Sequence, residues 1–334
     1  MLRILHGTKI DFIRYWRIAV GITIAFVLAG MIPLVIKGIN YSIEFTGGTV
    51  VQVSFPKPPG AAHLREALRA AGLAEAEAVP FGGESEYVIK ARDLASVESQ
   101  AAGAEGIARR IEGVLINTYG KDGYKIEGTE AIGPRVGSEL ARGALWAILA
   151  SFGITLVYLA WRFEWRFGVA ATLATAHDIL ATLALIKLMN LEISLTVIAG
   201  ILTVIGYSLN DTIIIFDRVR ENLHKTRKES LYDILNRSVN ETLPRSILTH
   251  VTTLAATVAL LIFAGETIRP FAWVMTFGIF TGTFSSIYVA SPVLLYIETK
   301  FPRSEGAGRL GGPAAVAPVS PPRGARSRAP SAAR

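Results

Sequence analysis

The 334-residue sequence contains no cysteine, and charged residues make up only 18% of it. Without cysteine the chain can form neither a disulfide nor a thiolate metal site, so it carries no signal about redox compartment. A nucleotide-binding phosphate loop is also missing, which argues against direct use of ATP. Hydrophobic residues, in contrast, make up 51% of the chain, and mean hydropathy is +0.41. This composition excludes an ordinary soluble domain.

Long apolar runs dominate the sequence. A helix needs about 20 apolar residues to cross the hydrocarbon core of a bilayer. Six runs predict six transmembrane helices, at residues 18–37, 139–160, 167–189, 195–216, 241–265 and 271–297. The first run is interpreted as a membrane anchor rather than a cleaved signal peptide, because residues 30–37 offer no small-x-small cleavage site.

Residues 38–138, between the first and second runs, have a different pattern. Strands are predicted over residues 41–55, in two pieces within 77–91, and over 123–132, with helices over 61–71 and 94–119. The order β-α-β-β-α-β predicts a ferredoxin-like domain of about 100 residues. Because this domain lies between two spans, we expect it on the far side of the membrane, as a periplasmic domain.

Lysine and arginine are unevenly distributed, and the formal net charge is +7. The two short outer loops contain only Arg269, whereas basic residues are frequent in segments 1–17, 217–240 and 300–334. The positive-inside rule therefore predicts that both termini are cytoplasmic. Segment 217–240 is predicted to be an amphipathic connection on the cytoplasmic membrane face, and segment 300–334 a disordered basic tail.

Asp211 lies inside the fourth apolar run, next to Asn210 and near one end of the span. A carboxylate within hydrocarbon costs roughly 2.5–3.5 kcal/mol on insertion scales, and such residues usually mark an ion pathway or proton relay. The alternative is an aspartate that joins helices through hydrogen bonds. Both interpretations are compatible with the sequence.

Ionisable residues inside the predicted spans are few: His177, Asp178, Asp211, Arg245 and His250. Asp211 and Arg245 lie at matching depths on consecutive, antiparallel spans, so they are predicted to pair. A pair that forms and breaks would couple protonation to conformation, because arginine stays charged while a carboxylate titrates. The alternative is a static ion pair that fixes helix register. His177 is interpreted as a core hydrogen-bonding residue or a relay, and His250 is the weaker relay candidate.

The segment Gly206–Asn222 resembles the fourth-span motif of the SecD/SecF family of protein-export membrane subunits. Other segments agree in order: Lys-Ile-Asp-Phe (9–12), Glu-Phe-Thr-Gly-Gly-Thr (44–49), Gly-Pro-Arg-Val-Gly-Ser-Glu-Leu (133–140), Ala-His-Asp-Ile-Leu-Ala-Thr (176–182) and Asn-Glu-Thr-Leu-Pro-Arg-Ser-Ile-Leu-Thr (240–249). Ser42 and Glu44 stand where the family usually has glycine and aspartate, so the carboxylate is kept. Pro244 is a local variation. From the residues alone, Gly47 and Gly48 indicate a strand bend or bulge.

The resemblance implies a fold similar to half of a resistance-nodulation-division exporter, in the bacterial inner membrane. It implies pairing with SecD and work with the SecYEG channel and YajC to export unfolded preproteins with the proton gradient. It carries over Asp211 and Arg245 as proton-pathway residues. Asn210, Asp178 and His177 are further candidates, and Glu44, Gly47 and Gly48 form a structural motif. No cofactor, metal or nucleic acid is expected. The transmembrane helices are expected to contact membrane lipid.

Three rival functions are weighed against this interpretation. The first is half of a proton-driven exporter of small molecules, although such exporters usually carry two halves and two large outer domains in one chain. The second is an intramembrane aspartyl protease that uses Asp178 and Asp211. Those proteases carry Tyr-Asp and Gly-x-Gly-Asp, whereas this chain has His-Asp and Asn-Asp, so no enzyme is predicted. The third is a scaffold for SecD without a proton pathway.

Overall fold

The computed structural model of the protein describes residues 8–73, 76–81, 83, 85–91, 102–226, 229–265 and 267–301. The predicted disordered tail, apart from residues 300 and 301, and the first part of the helix predicted from residue 94 lie outside the described residues. Labels follow chain order: after a 3-10 turn at Ile13–Tyr15 come α1 (Trp16–Lys37), α2 (Ile43–Thr46), β1 (Gly48–Ser54), α3 (Ala61–Ala70), β2 (Glu77–Pro80), β3 (Glu86–Ala91), α4 (Ala102–Tyr119), β4 (Lys125–Ile132), α5 (Pro134–Arg162), α6 (Trp165–Leu188), α7 (Leu195–Lys225), α8 (Leu231–Phe263), α9 (Arg269–Ser285), a π-helical turn (Ser286–Ala290) and α10 (Ser291–Lys300).

Within the described part of the chain, six helical segments are long and apolar enough to cross a membrane. They are α1, α5, α6, α7, α8, and α9 joined to α10 through the π-helical turn. The prediction of a six-span membrane protein is therefore confirmed. The helices are unequally buried: half or more of the apolar window is buried in α6, α7 and the last span, against 6% in α5. The centre of the bundle is therefore formed by α6, α7 and α9.

Two of the spans continue well beyond their apolar windows. α7 ends at Lys225 and α8 begins at Leu231, so the segment predicted as a separate amphipathic connection, 217–240, consists mostly of the ends of these two helices. Hydropathy marks where a helix leaves the hydrocarbon, whereas caps decide where it stops. The cap of α8 is Ser230, whose hydroxyl accepts a hydrogen bond from the backbone of Asp233 at 3.2 Å.

The four strands form an antiparallel sheet in the order β2-β3-β1-β4. With α3 after β1 and α4 after β3, this is the arrangement of a ferredoxin-like domain, and that prediction is confirmed. The two helices cover one face of the sheet, because alternate residues of β1 point into a shared core. This core contains Val51, Val53, Leu64, Leu68, Ile89, Ile111 and Leu115.

The strand predicted from residue 41 begins later than expected. Residues 43–46 form the short helix α2, and β1 starts only at Gly48. The Ser42 side chain accepts a hydrogen bond from the Glu44 backbone at 3.3 Å and so caps this turn. Gly47 ends the turn with φ +78°, a conformation that glycine adopts without strain. The β-rich composition of the stretch concealed this turn.

The segment before α1 is attached to α8 by side-chain amides. Asn240 accepts the backbone N–H of Ile10 at 3.0 Å and donates to the carbonyl of the same residue at 2.8 Å. Asp11 accepts from Tyr232 at 2.6 Å and from Asn236 at 2.8 Å. The hydrogen bond from Tyr232 holds the pKa of Asp11 below its usual value. We call this set of contacts the N-terminal clamp.

Candidate functional site

Asp211 lies on α7 and is 4% exposed. Its Oδ1 accepts a hydrogen bond from the hydroxyl of Ser246 on α8 at 2.6 Å. Its Oδ2 is buried and has no hydrogen-bond partner among the described residues. The carboxyl lines a cavity of about 110 Å³ together with Tyr207, Asn210, Ile214, Arg245, Ser246, Thr249 and His250. A polar cavity of this size has room for several water molecules.

Arg245 lines the same cavity but does not form the predicted ion pair with Asp211. Ser246 is the hydrogen-bond partner instead, and the Arg245 side chain is exposed on the surface of the protomer. Successive residues of a helix point about 100° apart. The two side chains therefore leave α8 in different directions, and only Ser246 points straight at α7. Asn210 also belongs to this cavity, and it too is exposed.

A polar column continues from the cavity along the contact between α7 and α8. The Tyr207 hydroxyl is 3.2 Å from both the Thr249 carbonyl and the Thr253 hydroxyl. Tyr207 lies one turn before Asp211 on α7, and Thr249 and Thr253 are one turn apart on α8. The column runs away from Asp217, toward the end of the bundle that carries the sheet domain.

Asp178, on α6, forms a second polar cluster and is 1% exposed. Its Oδ2 accepts hydrogen bonds from the hydroxyls of Ser208 on α7 and of Ser285, at 2.7 Å for the latter. Its Oδ1 is 3.0 Å from Nδ1 of His177, and Nε2 of His177 is 2.6 Å from the hydroxyl of Thr23 on α1. Asp178 and the adjacent His177 therefore join four spans: α1, α6, α7 and α9.

The serines and threonine of these clusters were missed by the sequence analysis. Ser208, Ser246, Ser285 and Thr23 are hydroxyl residues in largely apolar runs, and such residues recur in membrane helices without marking a site. A signal existed for two of them, since Ser246 directly follows Arg245 and Ser208 lies three residues before Asp211 in the motif Gly206–Asn222. Within the described residues, no group of three or more His, Cys, Asp or Glu side chains is arranged to hold a metal ion.

The glycine motif joins the sheet domain to the membrane helices. Glu44 Oε2 accepts the backbone N–H of Leu195, the first residue of α7, at 2.5 Å. A carboxylate is favoured there because the N-terminus of a helix carries partial positive charge. Gly48 lies so close to β3 that an added Cβ would be 2.7 Å from the Ala91 carbonyl. The motif therefore sits between the start of α7 and the sheet.

Two further contacts strengthen this joint. Ser42 donates its backbone N–H to the carbonyl of Ile193 in the α6–α7 loop at 2.9 Å. Lys90 of β3 forms an ion pair with Glu192 of the same loop at 2.6 Å. The end of α7 that lies nearest to the sheet domain is thus bonded to that domain at several points.

Together these features define a class: a multispanning membrane transport protein with buried polar clusters between its helices and a ferredoxin-like domain outside the bundle. Family models identify the member of this class. The model described as "Protein export membrane protein SecD/SecF, C-terminal" matches residues 114–300, and the "SecD/SecF GG Motif" matches residues 34–58. The chain belongs to the SecD/SecF family, which confirms the resemblance that its motifs indicated.

Individual relatives agree with the family models. The chain is 58% identical over 309 residues to "Protein translocase subunit SecF" of Gemmatimonas aurantiaca, covering 92% of each chain. It is 36% identical to the subunit of that name from Escherichia coli O157:H7, covering 88% of this chain and 90% of that one. The crystal structure of SecDF, a translocon-associated membrane protein from Thermus thermophilus, superposes with a TM-score of 0.76 at 34% identity. It matches 90% of this chain, which spans 40% of the SecDF chain.

Proposed function

We propose that this protein is the SecF-type accessory subunit of the Sec translocase, and that it works with SecD to complete the export of unfolded preproteins by means of the proton gradient. Family membership and the names of its relatives support the translocase role. The match to one part of a longer SecDF chain supports association with SecD. The same family expectation leads us to propose that the protein works with the SecYEG channel and YajC, and that it lies in the inner membrane.

The observation that carries the proton-driven part of this proposal is the unpartnered Oδ2 of Asp211. A buried carboxylate oxygen without a donor is costly unless it is protonated or reached by water. The adjoining cavity supplies space for that water. Asp211 is therefore placed to bind and release a proton within the membrane, and each charge that crosses gains about 2.3 kcal/mol per 100 mV.

Arg245 supplies the charge that responds to this proton. When Asp211 is ionised, the guanidinium in the shared cavity stabilises the carboxylate; when Asp211 is protonated, that attraction is lost. The change in force acts between α7 and α8. Because Glu44 holds the N-terminus of α7, a movement of α7 is passed to the sheet domain, which we place in the periplasm in contact with the emerging preprotein.

Exposed polar residues support a protein neighbour for this subunit. Asn210, Arg245, Thr249 and Thr252 are all exposed on the outer surface of α7 and α8, within otherwise apolar spans. Polar and charged side chains facing lipid are expensive, so such surfaces are normally covered by other helices. The spans of SecD are the neighbour that we assign to this face.

The test is Asp211→Asn, which preserves size and hydrogen bonding but cannot titrate. We expect the variant to co-purify with SecD as the wild type does, and to lose the stimulation of export by a proton gradient. Export is measured in inverted membrane vesicles with and without a gradient. The matched control is Asp217→Asn, a carboxylate on the same helix that pairs with Arg162 outside the cavity. Gradient stimulation of Asp211→Asn at the wild-type level would refute the proton-pathway role.

A further inference from the structure

His250 is a buried ionisable residue that the proposed function does not use. It lies on α8, is 6% exposed, and lines the same cavity as Asp211. Its ring stands edge-on to the ring of Tyr207, with centroids 5.5 Å apart. An imidazole is the side chain best suited to gain and lose a proton near neutral pH. Its position in this cavity therefore calls for a chemical account.

The hydrogen bonding of His250 fixes which ring nitrogen is free. Nδ1 contacts the backbone carbonyl oxygen of Ser246, one turn earlier on α8. A carbonyl oxygen only accepts, so Nδ1 carries the proton and donates it. In the neutral ring Nε2 then holds a lone pair, and it is the nitrogen available to a water molecule in the cavity. The same residue, Ser246, donates its hydroxyl to Asp211, so both ionisable groups are positioned by one serine.

His250 lies on one particular side of Asp211. It is four residues beyond Ser246 on α8, which corresponds to about 6 Å along the helix axis. That displacement is toward the polar column of Tyr207 and Thr253, away from Asp217. A proton that enters along the column therefore meets His250 before it reaches Asp211.

The charges around His250 can be named for each helix in contact with α8. From α7 they are Asp211 and the phenol of Tyr207, and on α8 itself Arg245. The stretch of α9 from Pro270 to Ser285 contains no ionisable residue. The Ile13–Tyr15 turn and α10 carry Arg14, Tyr15, Tyr296, Glu298 and Lys300 at the opposite end of the bundle, where Arg166 pairs with Glu298. Asp211 is thus the anion that a protonated His250 would face.

We propose that His250 is a second proton-binding group of this pathway, which delivers protons to Asp211. The proposal rests on the proposed gradient-driven function. A protonated water molecule (hydronium), formed by a proton entering the column from the side of the sheet domain, gives its extra proton to Nε2; it is left as neutral water, and the ring becomes an imidazolium. Nε2 then returns the proton to a cavity water, which passes a proton to Oδ2 of Asp211. The ring ends neutral, the carboxyl ends protonated, and one proton has moved inward.

The charge balance of the cavity makes the imidazolium transient. Arg245 is permanently charged, and Asp211 is the one carboxylate of the cavity lining. While Asp211 is ionised, it offsets one of the two cations; once it is protonated, Arg245 and an imidazolium would repel each other. His250 therefore accepts a second proton only after Asp211 has released its own, which orders the two steps.

The experiment compares His250→Asn with His224→Asn. His224 is a matched control, because its Nδ1 contacts the carbonyl of Arg220 one turn earlier, at 2.7 Å, on an exposed part of α7. Both variants keep an amide that can donate to that carbonyl. Gradient-stimulated export is measured in inverted vesicles as the lumenal pH is varied from about 5 to 8, the range in which histidine titrates.

We expect His250→Asn to lower gradient-stimulated export roughly tenfold or more, the scale of a lost acid-base group, and to remove the inflection from the pH profile. His224→Asn should keep the wild-type rate and inflection. If the pH profile of His250→Asn keeps its inflection, whatever the export rate, the proposal is overturned and His250 is a packing residue. If Asp211→Asn abolishes stimulation while His250→Asn matches wild type, only this inference fails. If wild type shows no stimulation, both proposals fail.

A second measurement needs no substitution at His250. Nuclear magnetic resonance of the wild-type protein with nitrogen-labelled histidine follows each imidazole as pH is lowered. Comparison with Asp211→Asn identifies the ring that senses Asp211. We expect that ring to titrate at Nε2 in the wild type and to shift its titration when Asp211 cannot ionise. If no imidazole changes its titration between the wild type and Asp211→Asn, or if the affected ring stays neutral throughout, the proposal is overturned.

Discussion

The side chain that bonds the buried carboxylate of Asp211 is the hydroxyl of Ser246, not the guanidinium of Arg245. Ser246 occupies the direct line from α8 to Asp211, and Arg245 reaches the cavity from its side. The attraction between the two charges is therefore exerted across the shared cavity rather than through a bidentate contact. A pair held apart in this way can tighten or loosen without breaking a well-packed interface.

Arg245→Lys tests this arrangement at the level of one side chain. Lysine keeps the charge but loses the planar fork, so we expect gradient-stimulated export to fall by roughly threefold to tenfold without being abolished. Arg245→Gln removes the charge and should abolish stimulation. The assay is again export into inverted vesicles, with Arg220→Lys, on the part of α7 outside the cavity, as the control. An unaffected Arg245→Gln would show that the guanidinium takes no part.

Sequence reasoning located this site but not its contacts. Depth along consecutive spans placed Asp211 and Arg245 at the same level, and the structure puts both in one cavity. Which neighbour faces Asp211 depends on a rotation of about 100° per residue, and no apolar pattern on α8 specified that angle. The cluster around Asp178 depends on hydroxyls from distant helices, which a single sequence cannot bring together.

At the level of whole helices, the closest described approach of a span glycine to the backbone of another helix is between α1 and α6. A Cβ added to Gly30 would be 2.4 Å from the Cα of Ala184, a backbone atom that cannot move aside alone. By contrast, a Cβ added to Gly21 on the same helix would meet nothing within 4 Å. The same α1–α6 pair also shares the Thr23–His177 contact at 2.6 Å. Both close packing and a polar contact therefore attach α1 to α6.

Gly30→Ala should force α1 away from α6, at the cost of about 1–3 kcal/mol that overpacking usually carries. We expect a lower thermal midpoint in detergent and a smaller yield of folded protein. Gly21→Ala is the matched control, and it should be neutral or slightly stabilising, because alanine favours a helix by up to about 1 kcal/mol over glycine. Equal melting temperatures for the two variants would contradict the packing described here.

Apolar runs predicted the existence of all six spans, because burial in hydrocarbon requires them. They did not predict where helices end, since Ser194 and Ser230 start α7 and α8 by capping backbone groups rather than by hydropathy. The helix α2 was missed for a similar reason. Its one turn depends on Ser42 and on the positive φ of Gly47, within a stretch whose composition favours a strand.

For the molecule as a whole, the sheet domain lies at one end of the apolar bundle. The last turns of α7 and the first turns of α8 lie at the opposite end. The basic residues concentrate at the end near Asp217, where Arg162 and Arg166 form their ion pairs. This distribution supports the orientation that we propose, with the sheet domain in the periplasm.

A chain without cysteine allows that orientation to be tested with single introduced thiols. Ser85 in the sheet domain and Thr299 at the end of α10 are both exposed. We expect an impermeant thiol reagent to label Ser85→Cys but not Thr299→Cys in intact spheroplasts, because in the proposed topology only the first faces outward. Both should react after the membrane is permeabilised. The opposite labelling pattern would invert the topology.

The N-terminal clamp also sets an order of events during synthesis. Asn240 lies 230 residues after Ile10, and its side chain bonds both the backbone N–H and the carbonyl of that residue. At about 5–20 residues per second, roughly 10–50 s separate the making of the two partners. For that interval α1 is inserted with its leading segment unpaired, while the sheet domain and α5 to α7 are completed around it. The clamp closes only when the first turns of α8 have emerged, so the segment before α1 stays unattached until α8 is made.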